Sequence, residues 1–220
     1  MNGEFLFFIL FLLIFFIGSL IRGYYGRKIP MEGSPLDRLR KSIEKEGQIN
    51  MVILILLAFI LLFGFFLYVS NIWFLWFPWT QLLLPNWLRW LGVIFGLVSI
   101  PFLFWVHYTL QRYWDVSLQL HDQHVLITTG PYSQIRHPMY TIHIFYFLAF
   151  FLVSANWLFL INWLLTLVLI ARRIPREEQM MLAQFGDAYR DYISRTGSLV
   201  PKLRRRSEIN EKIGNRNGGN

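Results

Sequence analysis

Residues Tyr140–Ala171 read YTIHIFYFLAFFLVSANWLFLINWLLTLVLIA, a run of 32 positions without Asp, Glu, Lys or Arg. As a single helix this run would measure about 48 Å at 1.5 Å per residue, whereas the hydrocarbon core of a bilayer is about 30 Å thick. Ser154-Ala155-Asn156, near the middle, is the best candidate for a turn. The run therefore predicts a helical hairpin that enters the membrane and returns to the same side, with short arms that are tilted or cross incompletely.

A polar segment precedes the hairpin. It is His124–Tyr140, HVLITTGPYSQIRHPMY. Gly130-Pro131 predicts a turn, and Pro138 suits the first position of a helix, where a missing N–H costs nothing. Arg136 and His137 would then lie at the mouth of that helix. Ionisable groups held against membrane segments are costly and by default indicate a functional site.

The segment that follows the hairpin is amphipathic, with apolar residues recurring at three- and four-residue spacing. Arg173 and Glu177 are spaced i,i+4 and share one helix face, whereas Glu178 is rotated about 100° away, towards the surface or a second contact. Pro175 lies between them and predicts a kink where the helix leaves the membrane. Because both ends of the hairpin emerge on one side, this helix and the segment His124–Tyr140 are predicted to form one site.

The composition excludes most soluble classes of protein. Of the 220 residues, 55% are hydrophobic and 18% aromatic, more apolar surface than a soluble domain of this length could bury. The net charge of +8 comes from basic residues beside apolar runs, which indicates positive-inside anchoring rather than nucleic-acid binding. The chain has no cysteine, which excludes disulfides and thiolate chemistry. Glu4 and the lack of Lys or Arg before the first apolar run predict a retained span rather than a cleaved signal peptide.

The fold class predicted is all-α, with about five membrane helices including the C-terminal hairpin. The first three spans are expected at Phe5–Ile21, Ile49–Val69 and Leu88–Tyr108, the last with a kink at Pro101. A basic loop starting at Arg22 follows the first span and marks the cytoplasmic side, and an aromatic belt over Asn71–Asn86 marks the opposite side. The regions predicted are 1–110 for the N-terminal spans, 111–203 for a cofactor-binding and catalytic region, and 204–220 for a basic, disordered tail.

A few side chains have simpler explanations. His107 and His143 lie in apolar runs, either as hydrogen-bonded core residues or as the lining of a substrate groove. His121 and His124 resemble half of a metal site, but no second pair supports a metal, and none is predicted. Asp187, after Gly186, is expected to cap the last helix.

The segment His124–Tyr140, together with RIPREEQMMLAQFGDAYRDYISRTG from Arg173, resembles the isoprenylcysteine carboxyl methyltransferase family and its bacterial relatives. The resemblance covers about Asp115–Pro201 and is carried by GPY with RHPxY, R-x3-EE and FG-x2-Y-x2-Y. It implies a membrane enzyme that uses S-adenosyl-L-methionine, with Arg173 near the substrate. The side chains that the resemblance and the chemistry of this cofactor assign to its binding are Ser117, His124, Val125, Leu126, Ile127, Tyr132, Arg136, His137, Pro138, Met139, Tyr140 and Glu177.

These residue types suit S-adenosylmethionine. Aromatic faces such as Tyr132 and Tyr140 stabilise a sulfonium cation, and a carboxylate such as Glu177 binds ribose hydroxyls and an ammonium group. Arg136, His137 or backbone N–H groups at a helix start suit the carboxylate of the cofactor. Methyl transfer to a carboxylate needs little acid–base help, because the acceptor is already an anion, so alignment and exclusion of water supply most of the effect.

The predicted function is methyl transfer to an apolar or lipid-modified acceptor, with a carboxylate as the favoured acceptor group, at a pocket on the cytoplasmic face of a multi-pass membrane protein. The expected partners are the lipid bilayer and a lipid-linked small acceptor, with no nucleic acid. Three alternatives stay open: a phospholipid or amine N-methyltransferase, an NADPH-dependent membrane reductase, and a non-catalytic membrane protein. An amine acceptor would need a base, for which His137 or Glu177 would be the candidates.

Overall fold

A computed structural model describes residues 3–27, 34–70, 80–110 and 126–202. The predictions for Ser117, His121, His124, Val125, residues 71–79 of the aromatic belt and the tail 204–220 fall outside these residues. The helices are α1 (Gly3–Gly26), α2 (Pro35–Glu46), α3 (Gln48–Ser70), α4 (Asn86–Leu110), α5 (Pro138–Ser154), α6 (Trp157–Phe185) and α7 (Asp187–Arg195), with a 3₁₀ turn over Gly130–Ser133.

The predicted hairpin is confirmed. Its arms are α5 and α6, and the chain reverses at Ala155, which takes the left-handed conformation with φ of 51°. The Ala155 N–H donates to the Phe151 carbonyl at 2.8 Å and closes α5. The Asn156 side chain then accepts from the Leu158 N–H at 2.9 Å and opens α6, as Asn does at helix starts. Local turn chemistry thus returns the chain to the side from which it entered.

Within the described residues, four helices are long and apolar enough to cross a membrane, namely α1, α3, α4 and α6, and α5 is a shorter apolar helix. The chain is therefore an all-α, multi-pass integral membrane protein, as predicted. One boundary was wrong: α1 continues to Gly26, so Arg22 lies inside the helix rather than in a loop. Pro101 and Pro175 lie inside continuous helices, and the kinks expected at them stay predictions.

Helix α2 was not predicted, although the sequence contains a helix-start signal at Ser34. Ser34 accepts from the Asp37 N–H at 3.2 Å, and the Asp37 side chain accepts from the Ser34 N–H at 3.2 Å. This reciprocal pair is a capping box, and Pro35 adds a proline at the first helical position. The helix ends at Glu46, whose side chain is fully buried. A short helix at the membrane edge therefore delivers one carboxylate into the interior.

The core between the spans is aromatic. Phe11 of α1 is fully buried and contacts the rings of Phe65, Phe150 and Phe159, from α3 and from both arms of the hairpin. At the end of the hairpin away from the polar segment, the guanidinium of Arg89 donates from Nε and Nη2 to the Val153 carbonyl at 3.1 and 3.0 Å. These contacts fix the hairpin against α1 and α4.

Helices α4 and α5 approach each other closely at Gly92. A Cβ atom there would lie 2.5 Å from Leu152 Cβ and 3.1 Å from the Val153 backbone nitrogen, neither of which can move freely. We expect Gly92→Ala to lower the free energy of unfolding by about 1–3 kcal/mol, as overpacking does. Thermal unfolding in detergent micelles would measure it. Gly23→Ala is the matched control, because nothing lies within 4 Å of its Cβ position, and it should be neutral or stabilising. Equal melting temperatures for the two variants would contradict this packing.

Candidate functional site

The segment before α5 folds as its sequence predicts. Residues Gly130–Ser133 form a 3₁₀ turn, in which Gly130 has φ of +58°, a conformation that favours glycine. Helix α5 then begins at Pro138, with His137 as the residue that precedes it. The predicted turn and helix start are therefore confirmed, and they place Arg136 and His137 at the mouth of the helix.

A backbone strap formed by Thr196–Leu199, directly after α7, fixes this segment. The N–H groups of Arg136 and His137 donate to the carbonyls of Gly197 and Ser198 at 2.8 and 3.0 Å, and the Gly197 N–H donates to the Gln134 carbonyl at 3.0 Å. The Thr141 hydroxyl adds a bond to the Leu199 carbonyl at 2.6 Å. Four hydrogen bonds thus hold the strap against the start of α5, so the polar segment has a defined backbone.

Glu177 of α6 lies against α5. The Tyr140 hydroxyl donates to Glu177 Oε1 in a short hydrogen bond, and His137 Nδ1 lies 3.3 Å from Glu177 Oε2. About a quarter of the Glu177 side chain stays exposed, whereas His137 is buried. The two side chains that hold this carboxylate are thus one helical turn apart on α5, and the carboxylate remains accessible.

Glu178 makes the second contact rather than facing the surface. Its Oε1 atom lies 3.2 Å from His137 Nε2 and accepts from Arg136 Nε at 2.9 Å. Arg136 also donates from Nη1 to the Thr196 carbonyl at 2.6 Å. His137 therefore bridges two adjacent carboxylates, and Arg136 links one of them to the strap.

Two tyrosines complete this side of the cluster. The Tyr192 hydroxyl of α7 donates to the Tyr132 carbonyl at 2.7 Å, so α7 holds the 3₁₀ turn in place. Burial raises the pKa of Tyr132 well above its usual range, and the nearby Glu177 carboxylate raises it further. Burial likewise raises the pKa of Tyr192 to about 12. Both phenols are therefore neutral hydrogen-bond donors at physiological pH.

The sequence did not indicate the partner of Arg173. Its Nε donates to Glu46 Oε2 at 3.0 Å and its Nη2 to Glu46 Oε1, a two-pronged ion pair between residues 127 positions apart. Arg176 donates to the Glu46 carbonyl, and Arg172 Nε donates to Asn50 Oδ1 at 2.8 Å. The arginines of α6 thus bind the junction of α2 and α3. An acidic residue next to a predicted span was the only signal available.

The predicted site residues fall into three groups. Tyr132, Arg136, His137, Tyr140 and Glu177 meet in one cluster, and Arg173 and Glu46 act electrostatically on Tyr140 beside Glu177. The first two residues of α5 are Pro138 and Met139, and the half-buried Leu126 and Ile127 precede the 3₁₀ turn. Ser117, His124 and Val125 lie outside the described residues.

One prediction near the site was wrong. Asp187 is the first residue of α7 and does not cap it, because the cap position belongs to Gly186, with φ of 52°. The Asp187 carboxylate instead accepts from Arg190 Nη1 at 2.6 Å.

The fold and this cluster define a class of protein: a helical multi-pass membrane protein with an accessible carboxylate and aromatic side chains at the ends of its spans. Residues 90–183 match the model of the isoprenylcysteine carboxyl methyltransferase (ICMT) family. The match covers less than half of the chain and includes the hairpin and Glu177.

Two known proteins share this similarity. The chain is 32% identical over 91 residues to a protein-S-isoprenylcysteine O-methyltransferase of Schizosaccharomyces pombe, which covers 40% of this chain and 38% of that protein. It also resembles the solved structure of a eukaryotic intramembrane Ras methyltransferase ICMT, with 25% identity, a TM-score of 0.48 and coverage of 52% of this chain and 42% of the other. The chain thus matches less than half the length of each relative.

Proposed function

We propose that the protein is a membrane methyltransferase that moves a methyl group from S-adenosylmethionine to the carboxylate of an apolar or lipid-modified acceptor, as in isoprenylcysteine O-methylation. The observation that carries the proposal lies inside the family match: an accessible Glu177 carboxylate held by Tyr140 and His137. The relative from fission yeast, named for this reaction, supports the acceptor class.

The residues present fit S-adenosylmethionine by the chemistry of their donor set. The Glu177 carboxylate suits the ribose hydroxyls or the ammonium group, and the aromatic rings of Tyr132 and Tyr140 suit a sulfonium. The apolar surface of the proposed cofactor site comes from Leu126, Ile127 and Met139. When bound, the cofactor supplies an electrophilic methyl group on a cationic sulfur. Ser117, His124, Val125 and Pro138 complete the proposed set of ligands.

The protein's part in the reaction is to bind, align and exclude water. The acceptor carboxylate is already a nucleophile, so no side chain has to remove a proton from it. With the cofactor bound, the methyl group would pass from sulfur to an oxygen of this carboxylate, so that the sulfonium and the carboxylate would both lose their charge. A site of low polarity favours such neutralisation, because the separated charges are poorly solvated there. His137 and Arg136 keep the two carboxylates in fixed positions.

Arg173 is proposed to lie between the two reactants. It acts electrostatically on Tyr140 at the cofactor cluster, and Glu46 fixes its guanidinium in position. We further propose that this end of the bundle faces the cytoplasm, because the basic residues flank α1 and α6 at this side. The proposed division into 1–110, 111–203 and 204–220 then assigns the cofactor to the second region.

Calorimetry with S-adenosylhomocysteine in detergent micelles tests the methyl donor, with micromolar-range binding expected. The acceptor is tested by adding labelled S-adenosylmethionine to membranes that contain the protein. A carboxyl ester releases its label as methanol in mild alkali, whereas a methylated amine keeps it. Absence of S-adenosylhomocysteine binding, or binding of NADPH in its place, would overturn the proposal. Alkali-stable label would replace the carboxylate by an amine.

A further inference from the structure

Arg22 is an arginine inside a membrane helix for which the described residues provide no carboxylate partner. Three largely buried arginines among the described residues do have a carboxylate partner: Arg89 pairs with Glu4, Arg136 with Glu178 and Arg173 with Glu46. A guanidinium at membrane depth without a counter-ion is expensive, and such residues by default indicate a functional site. Arg22 therefore calls for an anion from outside the described chain.

The packing of α1 against α5 places Arg22 beside His143. The Tyr146 hydroxyl donates to the Ile14 carbonyl at 3.1 Å, and its ring fills the space over Gly18. One turn towards the polar end, Ile21 packs against a cluster that contains Ile142. The two helices thus run antiparallel, and Arg22 and His143, which follow Ile21 and Ile142 in sequence, lie at this level of the helix pair.

Two histidines share this position. Arg22 and His107 both act electrostatically on His143, and the His107 ring stacks on Tyr25 with centroids 5.3 Å apart. His143 Nε2 is buried and makes no hydrogen bond within the described residues. Three basic side chains, from α1, α4 and α5, therefore converge with an unused hydrogen-bonding atom among them.

This basic cluster lies next to the proposed cofactor site. His137, the residue before α5, is followed at three-residue spacing by Tyr140 and His143 of the helix, and residues three apart are neighbours on a helix surface. The first two hold Glu177, while the third, about 4.5 Å further along the axis, lies near Arg22. Arg173 acts electrostatically on both Tyr140 and His143, so it lies near both sites.

We propose that Arg22, with His143 and His107, binds the anionic group of a membrane amphiphile, and that this anion is the carboxylate of the methyl acceptor. The inference rests on the proposed function and adds the subsite for the second reactant. Arg173 is less suited to this task, because Nε and Nη2 of its guanidinium already bind Glu46. One carboxylate oxygen held by Arg22 leaves the other to attack the methyl carbon. The ester product carries no charge, so it loses this ion pair and leaves readily.

The test compares N-acetyl-S-farnesylcysteine with its neutral carboxamide. Binding of each compound is measured by calorimetry in micelles, with the protein saturated with S-adenosylhomocysteine. We expect the wild-type protein to prefer the carboxylate by about tenfold or more, as charge-assisted hydrogen bonds allow. In Arg22→Gln the ratio of the two affinities should fall to about one, while the affinity for S-adenosylhomocysteine stays unchanged. Arg22→Lys, which keeps the charge, should retain part of the preference and guards against a folding defect.

Arg27→Gln is the matched control, because Arg27 is exposed at the end of the same helix, and it should keep the full preference. The subsite is wrong if the wild-type protein shows no preference, or if Arg173→Gln loses the preference and Arg22→Gln keeps it. If phosphatidylglycerol added to the micelles removes the preference and phosphatidylcholine does not, the cluster binds a lipid phosphate instead. If S-adenosylhomocysteine fails to bind the wild-type protein, it is the proposed function that fails.

Discussion

Replacing Glu177 by Gln is expected to weaken binding of S-adenosylhomocysteine by at least about 100-fold, since hydrogen bonds to a charged group are worth about 1.5–3 kcal/mol each and a carboxylate makes more than one. The amide keeps the shape of the side chain but removes the charge that faces His137 Nδ1 at 3.3 Å. It also removes one of the two acceptor oxygens offered to a ligand. Calorimetry in micelles measures the change.

The controls separate the carboxylate from its supports. Glu44→Gln makes the same chemical change at a side chain that is 62% exposed, and should leave binding unaltered. Tyr140→Phe removes the hydroxyl that donates to Glu177 but keeps the carboxylate, so a smaller loss is expected. Glu177→Gln binding like the wild-type protein, with an unchanged melting temperature, would show that this carboxylate is not a ligand.

Breaking the ion pair between Glu46 and Arg173 is expected to give the largest loss of stability. Glu46 is fully buried and the Arg173 side chain is 8% exposed, so removing one partner leaves the other charge buried and unpaired. Such a loss costs about 3–5 kcal/mol. We expect Glu46→Gln and Arg173→Gln each to lower the free energy of unfolding by this amount, as measured by denaturation of the protein in mixed micelles.

The double variant distinguishes a true pair from two separate sites. Because it leaves no unpaired charge, Glu46→Gln with Arg173→Gln should be more stable than the sum of the two single losses predicts. The pair Arg40–Glu44 on α2 is the control, with side chains 83% and 62% exposed, and its loss should change stability by less than about 1 kcal/mol. Strict additivity of the two buried variants would mean that the contact contributes no coupling.

The hairpin and the meeting of Tyr140 with Glu177 were predictable because their signals are local or close in sequence. The run Tyr140–Ala171 is longer than one membrane crossing requires. Pro138 marks the start of the first arm, and Asn156 marks the turn between the arms. Once the hairpin is assumed, its two ends must meet, which brings Glu177 to Tyr140.

The contribution of the N-terminal half was not predictable in the same way. Glu46 reaches Arg173 only through the packing of α2 and α3 on α6, and no periodicity encodes a contact over 127 positions. Arg22 was assigned to a loop because a charge ends an apolar run, whereas α1 continues past it. Long arginine side chains allow a helix to extend beyond its apolar part, so the run underestimates the helix.

The strap of Thr196–Leu199 also sets the order in which the site can be completed during synthesis. A ribosome makes the hairpin first, and the membrane can accept both arms while the strap is still unmade. Until residues 196–199 have emerged, the backbone N–H groups of Arg136 and His137 have no carbonyl partners from the strap. A nascent chain would therefore insert its spans with the polar segment still open, and complete the proposed cofactor site only once this last part of the fold has closed.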